Sequence, residues 1–86
     1  MGYQIQFTPQ AQRQLRRLSQ DLQARIAVHI DALSQNPRPP GCKKLQGEDK
    51  LWRIRIGDYR VIYTIEDSTK TVDVTRIAHR KEVYEP

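Results

Sequence analysis

The stretch that decides the fold is Leu51–Tyr63, which reads LWRIRIGDYRVIY. Apolar residues alternate with polar ones on both sides of Gly57-Asp58, a pair that is typical of the two-residue turns between antiparallel strands. A turn of this length fixes the register of the hairpin, so that Arg55 lies opposite Arg60. One face of the predicted hairpin is apolar and belongs to a core; it consists of Trp52, Ile54, Ile56, Tyr59, Val61 and Tyr63.

The other face of the hairpin carries Arg53, Arg55 and Arg60, with Ile62 among them. Like charges that lie directly opposite each other on a sheet destabilise it. A fold selected for stability alone would not pair Arg55 with Arg60, so we expect an anionic ligand to complete this face. We expect nothing in the chain except its C-terminal tail to cover the arginines.

The segments before the hairpin read as a short strand and two helices. Tyr3–Phe7 alternates apolar and polar side chains as a half-buried strand does, and the Thr-Pro pair directly after it is typical of a helix start. The apolar spacing that follows predicts an αα-hairpin, in which either Ser19 or Asp21 caps the second helix. Residues 37–50 then form a long connection containing Pro and Gly, and such connections are often functional.

After the hairpin, Thr71–Ala78 reads as a further strand of a meander. Simple alternation would send Arg76 to the core side with Val72 and Val74, so a bulge or the end of the strand must relieve it. The order of elements is β-α-α-β-β-β, and the helices must cover the apolar face of the sheet. The sequence therefore predicts a single α+β domain over residues 1–86, with an antiparallel sheet and the αα-hairpin packed on one face.

The composition favours an anionic partner and a reducing compartment. Fifteen Lys and Arg stand against ten Asp and Glu, which gives a formal charge of +5. Such an excess is typical of proteins that bind nucleic acid or an acidic protein. The chain has no apolar run near the ~20 residues of a membrane span and no signal-peptide stretch, so we expect no membrane partner. The single cysteine, Cys42, excludes an internal disulfide and fits a cytoplasmic protein.

The side chains that could carry chemistry lie in the hairpin and in the tail. His79, Arg80 and Tyr84 follow the last strand, near the turn of the hairpin if that strand pairs antiparallel with its predecessor. Metal chemistry has little support, because the chain has only two histidines and no carboxylate at a ligand spacing. Cys42 has no neighbouring base that would make it a nucleophile. No cofactor is predicted.

Several fixed cations, one imidazole and one phenol are the set that phosphodiester cleavage needs. Arginines hold a phosphate bidentately and stabilise the charge on its oxygens, and a histidine exchanges a proton near pH 7. Arginine stays protonated and cannot act as a base. With no metal site, the nucleophile is expected to come from the substrate, which indicates RNA and its 2′-hydroxyl. The predicted catalytic residues are Arg53, Arg55, Arg60, His79, Arg80 and Tyr84, and the predicted RNA-binding lysines are Lys43, Lys44 and Lys50.

Together these motifs resemble the RelE/ParE superfamily, the small toxins of type II toxin–antitoxin systems. The resemblance covers nearly the whole chain and rests on KLQG (Lys44–Gly47), on the Leu51–Tyr63 hairpin and on HRKEVY (His79–Tyr84). In the RelE branch the toxin enters the ribosomal A site and cuts mRNA there. The resemblance therefore implies a metal-independent endoribonuclease that inhibits translation. It also implies a basic active face on the central strands, with an arginine after the last strand and a tyrosine near the C-terminus.

Two features of the chain depart from well-studied members of that superfamily. Some members carry lysines at the positions of the two arginines in the first hairpin strand, and lysine can shuttle a proton whereas arginine cannot. Others use a glutamate in the loop before that strand, and residues 42–44 contain none. Proton transfer is therefore assigned to His79, with Tyr84 or Glu82 as secondary candidates.

The resemblance also implies partners and leaves alternatives open. The expected partners are a cognate RelB-like antitoxin, the ribosome and mRNA, with operator DNA reached only through the antitoxin. One alternative is a ParE-like inhibitor of DNA gyrase, although chains of that branch generally lack the full basic and tyrosine set. Another is a catalytically inert binding module that acts as a co-repressor with its antitoxin.

Overall fold

The computed structural model describes residues 2–45 and 50–82. Within that part of the chain, two helices and five strands follow one another: β1 (Gln4–Phe7), α1 (Pro9–Arg16), α2 (Gln20–Ala32), β2 (Lys43–Lys44), β3 (Leu51–Ile56), β4 (Tyr59–Glu66) and β5 (Thr71–His79). The strands form one sheet in the order β1-β5-β4-β3-β2. The predicted α+β fold class is confirmed.

The β3–β4 hairpin has the predicted register. Arg55 pairs with Arg60, and Ile54 pairs with Val61. Gly57 takes a φ of +60°, a backbone conformation that other residues rarely adopt, which explains why a glycine opens the turn. The alternation of the sequence was therefore sufficient to place every side chain of the hairpin on its correct face.

Two features of the sheet differ from the prediction. β1 pairs with β5 in parallel, with Ile5 opposite Val72, so the sheet is not antiparallel throughout. A tight turn forces an antiparallel pair, but β1 reaches β5 only through two helices and the meander, and a connection of that length permits the parallel direction. The predicted connection at 37–50 also contains β2, whose Lys43 pairs with Arg53 of β3.

Both helices begin at residues that the sequence marks. The Thr8 hydroxyl accepts a hydrogen bond from the Ala11 amide at 3.2 Å, and Pro9 occupies the first turn of α1. Ser19, rather than Asp21, caps α2 by accepting from the Leu22 amide at 3.3 Å. Each cap satisfies an amide that has no partner within its own helix.

α1 also closes the edge of β5 that lies beyond β1. The Ile77 amide donates to Gln14 Oε1 at 2.7 Å, and the Thr8 hydroxyl donates to the carbonyl of Thr75 at 3.2 Å. An open edge would leave these strand groups without partners in the fold. α1 is thereby held against the second half of β5.

The core lies between the helices and one face of the sheet. Ile26 and Leu33 from the second helical segment are fully buried, as are Val61 and Val74 from the strands. Tyr63 is also fully buried, and its hydroxyl donates to the carbonyl of Pro37 at 2.8 Å. Burial raises the pKa of the Tyr63 hydroxyl, so it stays protonated and anchors the connection after α2 to the sheet. Other buried core residues are Ala11, Ile30, Ile54, Ile56, Ile65, Val72 and Ile77.

A second set of contacts ties three segments together at the end of the sheet opposite the Gly57-Asp58 turn. Asp67 accepts hydrogen bonds from the Arg38 guanidinium at 2.9 and 3.3 Å and from the Tyr3 hydroxyl at 2.6 Å. These bonds lower the pKa of the Asp67 carboxyl. The same Arg38 guanidinium lies 5.2 Å from the centre of the Trp52 ring, a cation–π contact.

A bulge in β5 decides where Arg76 points. Ile62 pairs with Arg76, but the next residue, Tyr63, pairs with Val74, so Thr75 is the extra residue of β5. The extra residue reverses the alternation of the strand. Val74 therefore points into the core while Arg76 points to the opposite face, as the sequence required.

Candidate active site

The sheet surface turned away from the helices is the arginine face, which carries Arg53, Arg55, Arg60 and Arg76. Strand pairing arranges it in two rows that cross the sheet. The first row runs through Lys43, Arg53, Ile62 and Arg76, and the second through Arg55, Arg60 and Ala78. Residues that pair across strands share a face. The hairpin thus presents three cations to one side, as predicted, and β2 and β5 add one each.

Two arginines of this face are buried, which corrects the expectation of an open face. Arg53 is 3% exposed and Arg60 is 7% exposed, whereas Arg55 is exposed. Ile62 of the first row and Ala78 of the second form a small apolar cluster, and Leu45 and Leu51 pack against it. A period-two pattern tells which face a side chain takes, but it does not tell how much of that face other side chains cover.

Burial fixes the guanidinium of Arg60 in place. Its Nη1 donates to the carbonyls of Gly57 and Tyr59, at 3.5 and 3.3 Å. The cation therefore lies against the hairpin turn, and a long side chain with a fixed head loses little rotamer freedom when an anion binds. Arg60 is a preorganised cation, whereas the exposed Arg55 opposite it must be ordered by its ligand.

After β5 the chain folds back in a C-terminal turn, residues 79–82. The Glu82 amide donates to the carbonyl of His79 at 2.8 Å, and the His79 amide donates to Glu82 Oε1 at 3.1 Å. Arg76 holds the same turn from the arginine face, because its Nη2 donates to the carbonyl of Glu82 at 2.8 Å. The sequence reasoning missed Arg76 as a site residue. The signal that could have found it is a charge at a position that simple alternation along β5 assigns to the core.

His79 does not lie on the arginine face. It pairs with Tyr59, and the two rings meet edge to face with centroids 5.3 Å apart, on the side of the sheet that the helices cover. Its Nδ1 accepts a hydrogen bond from the Lys81 amide at 3.2 Å. A backbone amide can only donate, so neutral His79 carries its proton on Nε2. In this tautomer Nε2 of His79 carries the hydrogen and can donate a hydrogen bond.

Arg80 lies beside the hairpin turn, where the sequence predicted it. Its amide donates to the carbonyl of Asp58 at 2.6 Å, and its Nε lies 3.7 Å from Asp58 Oδ1. Both side chains are more than half exposed, and an exposed ion pair of this length is worth little. The Arg80 cation can therefore leave Asp58 for a phosphate. The predicted site residue Tyr84 lies outside the described residues.

The three predicted RNA-binding lysines take different positions. Lys43 lies on the arginine face opposite Arg53, whereas Lys44 pairs with Trp52 on the other face. Lys50 is exposed just before β3 begins. The structure brings Lys43 alone of the three into the rows of arginines.

Three further observations concern metal ions, the single cysteine and membranes. In residues 2–45 and 50–82, no three His, Cys, Asp or Glu side chains gather as a metal ion would require. Cys42 is a free thiol, half-buried against the core. None of the helices in the described ranges is long and apolar enough to cross a membrane.

The arrangement can bind a phosphodiester and stabilise charge that develops on it. Arg60 and Arg55 lie side by side at the turn end of the sheet, and Arg80 lies at the same end. Guanidinium groups donate to two phosphate oxygens at once and stay charged throughout a reaction. Within the described part of the chain, the imidazole at this end of the sheet is His79, which lies on the other side of β5.

The chain is similar in sequence to known toxins. Residues 5–84 match the family described as the ParE toxin of the type II toxin–antitoxin system parDE. The chain is 35% identical to Toxin RelG of Mycobacterium tuberculosis over 86 residues, which cover 98% of each chain. It is 32% identical to Toxin RelE of the same organism over 83 residues, which cover 95% of this chain and 86% of that protein.

Solved structures agree with these sequence matches. The RelBE2 toxin–antitoxin complex of Mycobacterium tuberculosis contains a chain that superposes with a TM-score of 0.82 at 32% identity, covering 93% of this chain and all of that one. A chain of the archaeal RelE–RelB complex of Pyrococcus horikoshii superposes with a TM-score of 0.83 at 28% identity, covering 96% of this chain and all of that one.

Proposed function

This chain belongs to the RelE/ParE superfamily of type II toxins, and we propose from that premise that it is a ribosome-dependent endoribonuclease that cuts mRNA in the A site. The observation that carries the proposal is the preorganised cation Arg60, which lies beside the exposed Arg55. Two like charges on directly opposed residues weaken a sheet, and a bound phosphate offsets that cost.

In the proposed reaction, the 2′-oxygen of a ribose attacks the adjacent phosphorus, and the bond from phosphorus to the 5′-oxygen breaks. The products are a 2′,3′-cyclic phosphate and a 5′-hydroxyl. Arg55, Arg60 and Arg80 stabilise the negative charge on the non-bridging oxygens, because they are cations at the same end of the sheet. His79 in its doubly protonated form donates a proton to the departing 5′-oxygen and is left neutral, while the 2′-hydroxyl gives its proton to water. In that form Nδ1 also carries a proton, so its hydrogen bond from the Lys81 amide must open.

The test is primer extension on cellular mRNA after brief induction of the chain, with the same transcripts incubated with purified protein in the absence of ribosomes. We expect cuts at fixed positions within codons, confined to translated regions, and none in the ribosome-free sample. Cuts outside reading frames would contradict the dependence on the ribosome. The absence of cuts in both samples would contradict the nuclease itself.

A second candidate has one specific observation in its favour, because the matching family is described by its ParE toxin. A gyrase inhibitor of that kind would leave mRNA uncut and would block DNA replication. Measuring replication in the same induced cells separates the two functions. If mRNA stays uncut and replication continues, both activities are excluded, and the alternative that is left is a catalytically inert co-repressor.

The proposed partner in the cell is an antitoxin of the RelB type, because the solved relatives include RelE chains in complex with RelB. A chain with a net charge of +5 and exposed cations on one sheet face offers such a partner an electrostatic target. We further propose that the toxin acts in the cytoplasm and reaches operator DNA only through the antitoxin. Co-purification with the product of the neighbouring gene, followed by operator binding with and without that product, tests both statements.

A further inference from the structure

A cleft opens at the edge of β3, next to the part of the strand after Arg53 that β2 does not pair with. We name it the edge cleft; its volume is about 420 Å³. That size lies within the roughly 300–1,000 Å³ range of sites that bind small organic groups. The edge cleft lies between α2 and the Pro39–Gly41 segment and is lined by His29, Ala32, Pro40, Lys43, Arg53 and Arg55, among others.

The lining of the edge cleft combines apolar walls with cations. Ala32 from α2 and Pro39 and Pro40 from the following segment provide flat apolar surface. Lys43 and Arg55 are exposed and lie on the arginine-face side. No Asp or Glu lines the cleft in the described ranges. A ligand with a planar apolar part and an attached negative charge fits this combination.

The edge cleft is continuous with the candidate active site. Arg55 lines the cleft and also pairs with Arg60 at the centre of the second row of the arginine face. An extended polyanion that places one phosphate between Arg55 and Arg60 therefore reaches the cleft with its next unit. A nucleic acid strand has that repeating form, since each phosphate is followed by a sugar and a flat base.

We propose that the edge cleft binds the nucleotide next to the scissile phosphate of the RNA substrate. Its base packs against Pro40 and Ala32, and its phosphate contacts Lys43. His29 is an exposed residue of the cleft lining, and an imidazole can stack on a base. This assignment rests on the proposed nuclease function and adds a second contact point beside the reacting phosphate.

The test fills the edge cleft without touching the arginines. Ala32 is exposed, so Ala32→Phe places a ring in the cleft while leaving the core unchanged. Ala24→Phe is the matched control, because Ala24 is exposed on the same helix and lies outside the cleft. Single-turnover cleavage is measured on ribosomes programmed with a defined mRNA. We expect Ala32→Phe to lower the rate constant at subsaturating toxin roughly tenfold, and Ala24→Phe to change it less than twofold.

Lys43→Gln provides a second, independent measurement in case the added ring disturbs α2. A lysine that contacts a phosphate makes binding depend on salt, so its loss should lower the slope of log affinity against log salt by about 0.7. A merely structural lysine would leave that slope unchanged. The affinity is measured with a short RNA whose attacking 2′-hydroxyl is replaced by hydrogen.

The possible outcomes separate the edge cleft from the nuclease. If wild-type protein cuts mRNA while Ala32→Phe cuts equally fast and Lys43→Gln keeps the salt slope, the edge cleft is not a nucleotide site and the nuclease stands. If Ala32→Phe weakens only the capture of the antitoxin, the cleft receives the protein partner and the RNA assignment is overturned. If wild-type protein does not cut mRNA, the nuclease fails. The edge cleft is then tested separately as a nucleotide site by nuclear magnetic resonance titration with the short RNA. If the amide signals of His29, Gly41 and Lys43 do not shift, the edge cleft is not a nucleotide site.

Discussion

Replacing Arg60 by alanine should damage both catalysis and folding, whereas replacing Arg80 should damage catalysis alone. The two residues carry the same charge and lie at the same end of the sheet. They differ in burial, because Arg60 is 7% exposed and the Arg80 side chain is 59% exposed. On the open face expected from the sequence, neither substitution would disturb the fold, and the burial of Arg60 changes that expectation.

The cost of Arg60→Ala to the free energy of unfolding can be worked out from its contacts. The two hydrogen bonds to the carbonyls of Gly57 and Tyr59 are long and contribute about 1–2 kcal/mol together. Removing the buried aliphatic stem costs about 2 kcal/mol more, at about 0.8 kcal/mol per methylene. The lost repulsion from Arg55 returns about 0.2–1 kcal/mol. The net destabilisation is about 2–4 kcal/mol, which is less than the roughly 5–15 kcal/mol that a small domain has.

The variant should therefore stay folded at 25 °C with a lowered melting temperature. For a domain of this size, 1 kcal/mol shifts the melting temperature by roughly 4–8 °C, so Arg60→Ala should melt about 8–32 °C lower. Arg80→Ala should melt within about 3 °C of the wild type, because its ion pair is exposed. Circular dichroism and cleavage on programmed ribosomes measure the two properties on the same samples.

Arg60→Met separates the charge from the stem. Methionine keeps most of the buried apolar length and loses the cation, so this variant should recover about half of the lost stability and none of the activity. Full activity in a folded Arg60→Met protein would refute the role of Arg60 as a phosphate-binding cation. An Arg60→Ala protein as stable as the wild type would refute the account of its burial.

Three other predictions concern separate parts of the molecule. His79→Gln should slow cleavage and flatten its pH dependence near neutrality, and an unchanged pH–rate curve would remove His79 as the proton carrier. Tyr63→Phe should lower the free energy of unfolding in urea by about 1–2 kcal/mol, because the buried carbonyl of Pro37 loses its donor, while cleavage stays unchanged. The pKa of the Asp67 carboxyl is lower in the folded protein than in the unfolded chain, so its ion pair stabilises the fold at pH values above the pKa of a free aspartate. That stabilisation is lost as the pH falls through the pKa that Asp67 has in the folded protein. Asp67→Asn should therefore melt below the wild type at neutral pH and match it in acid, and a constant difference would contradict this linkage.

The catalytic hypothesis could be formed from sequence because its main elements are local. The Gly57-Asp58 turn and the alternation around it determine the hairpin register, and the register alone pairs Arg55 with Arg60. Helix caps such as Ser19 depend on the few residues that follow them. The family resemblance also rests on short contiguous motifs, and the comparisons confirm it.

The remaining features depend on contacts between distant segments, so the tertiary structure alone decided them. β1 joins β5 in parallel because a long connection leaves its direction free. The bulge at Thr75 moves Arg76 onto the arginine face, and it also leaves His79 beside Tyr59 on the helix-covered side. Alternation specifies which face a side chain takes relative to its neighbours, but a single extra residue reverses that assignment for the rest of the strand. The sequence by itself determined that Arg53, Arg55 and Arg60 share one face of the hairpin, because the register follows from a local turn. The tertiary structure decided that Arg53 and Arg60 are buried while Arg55 is exposed, because burial depends on the packing of segments that are distant in sequence.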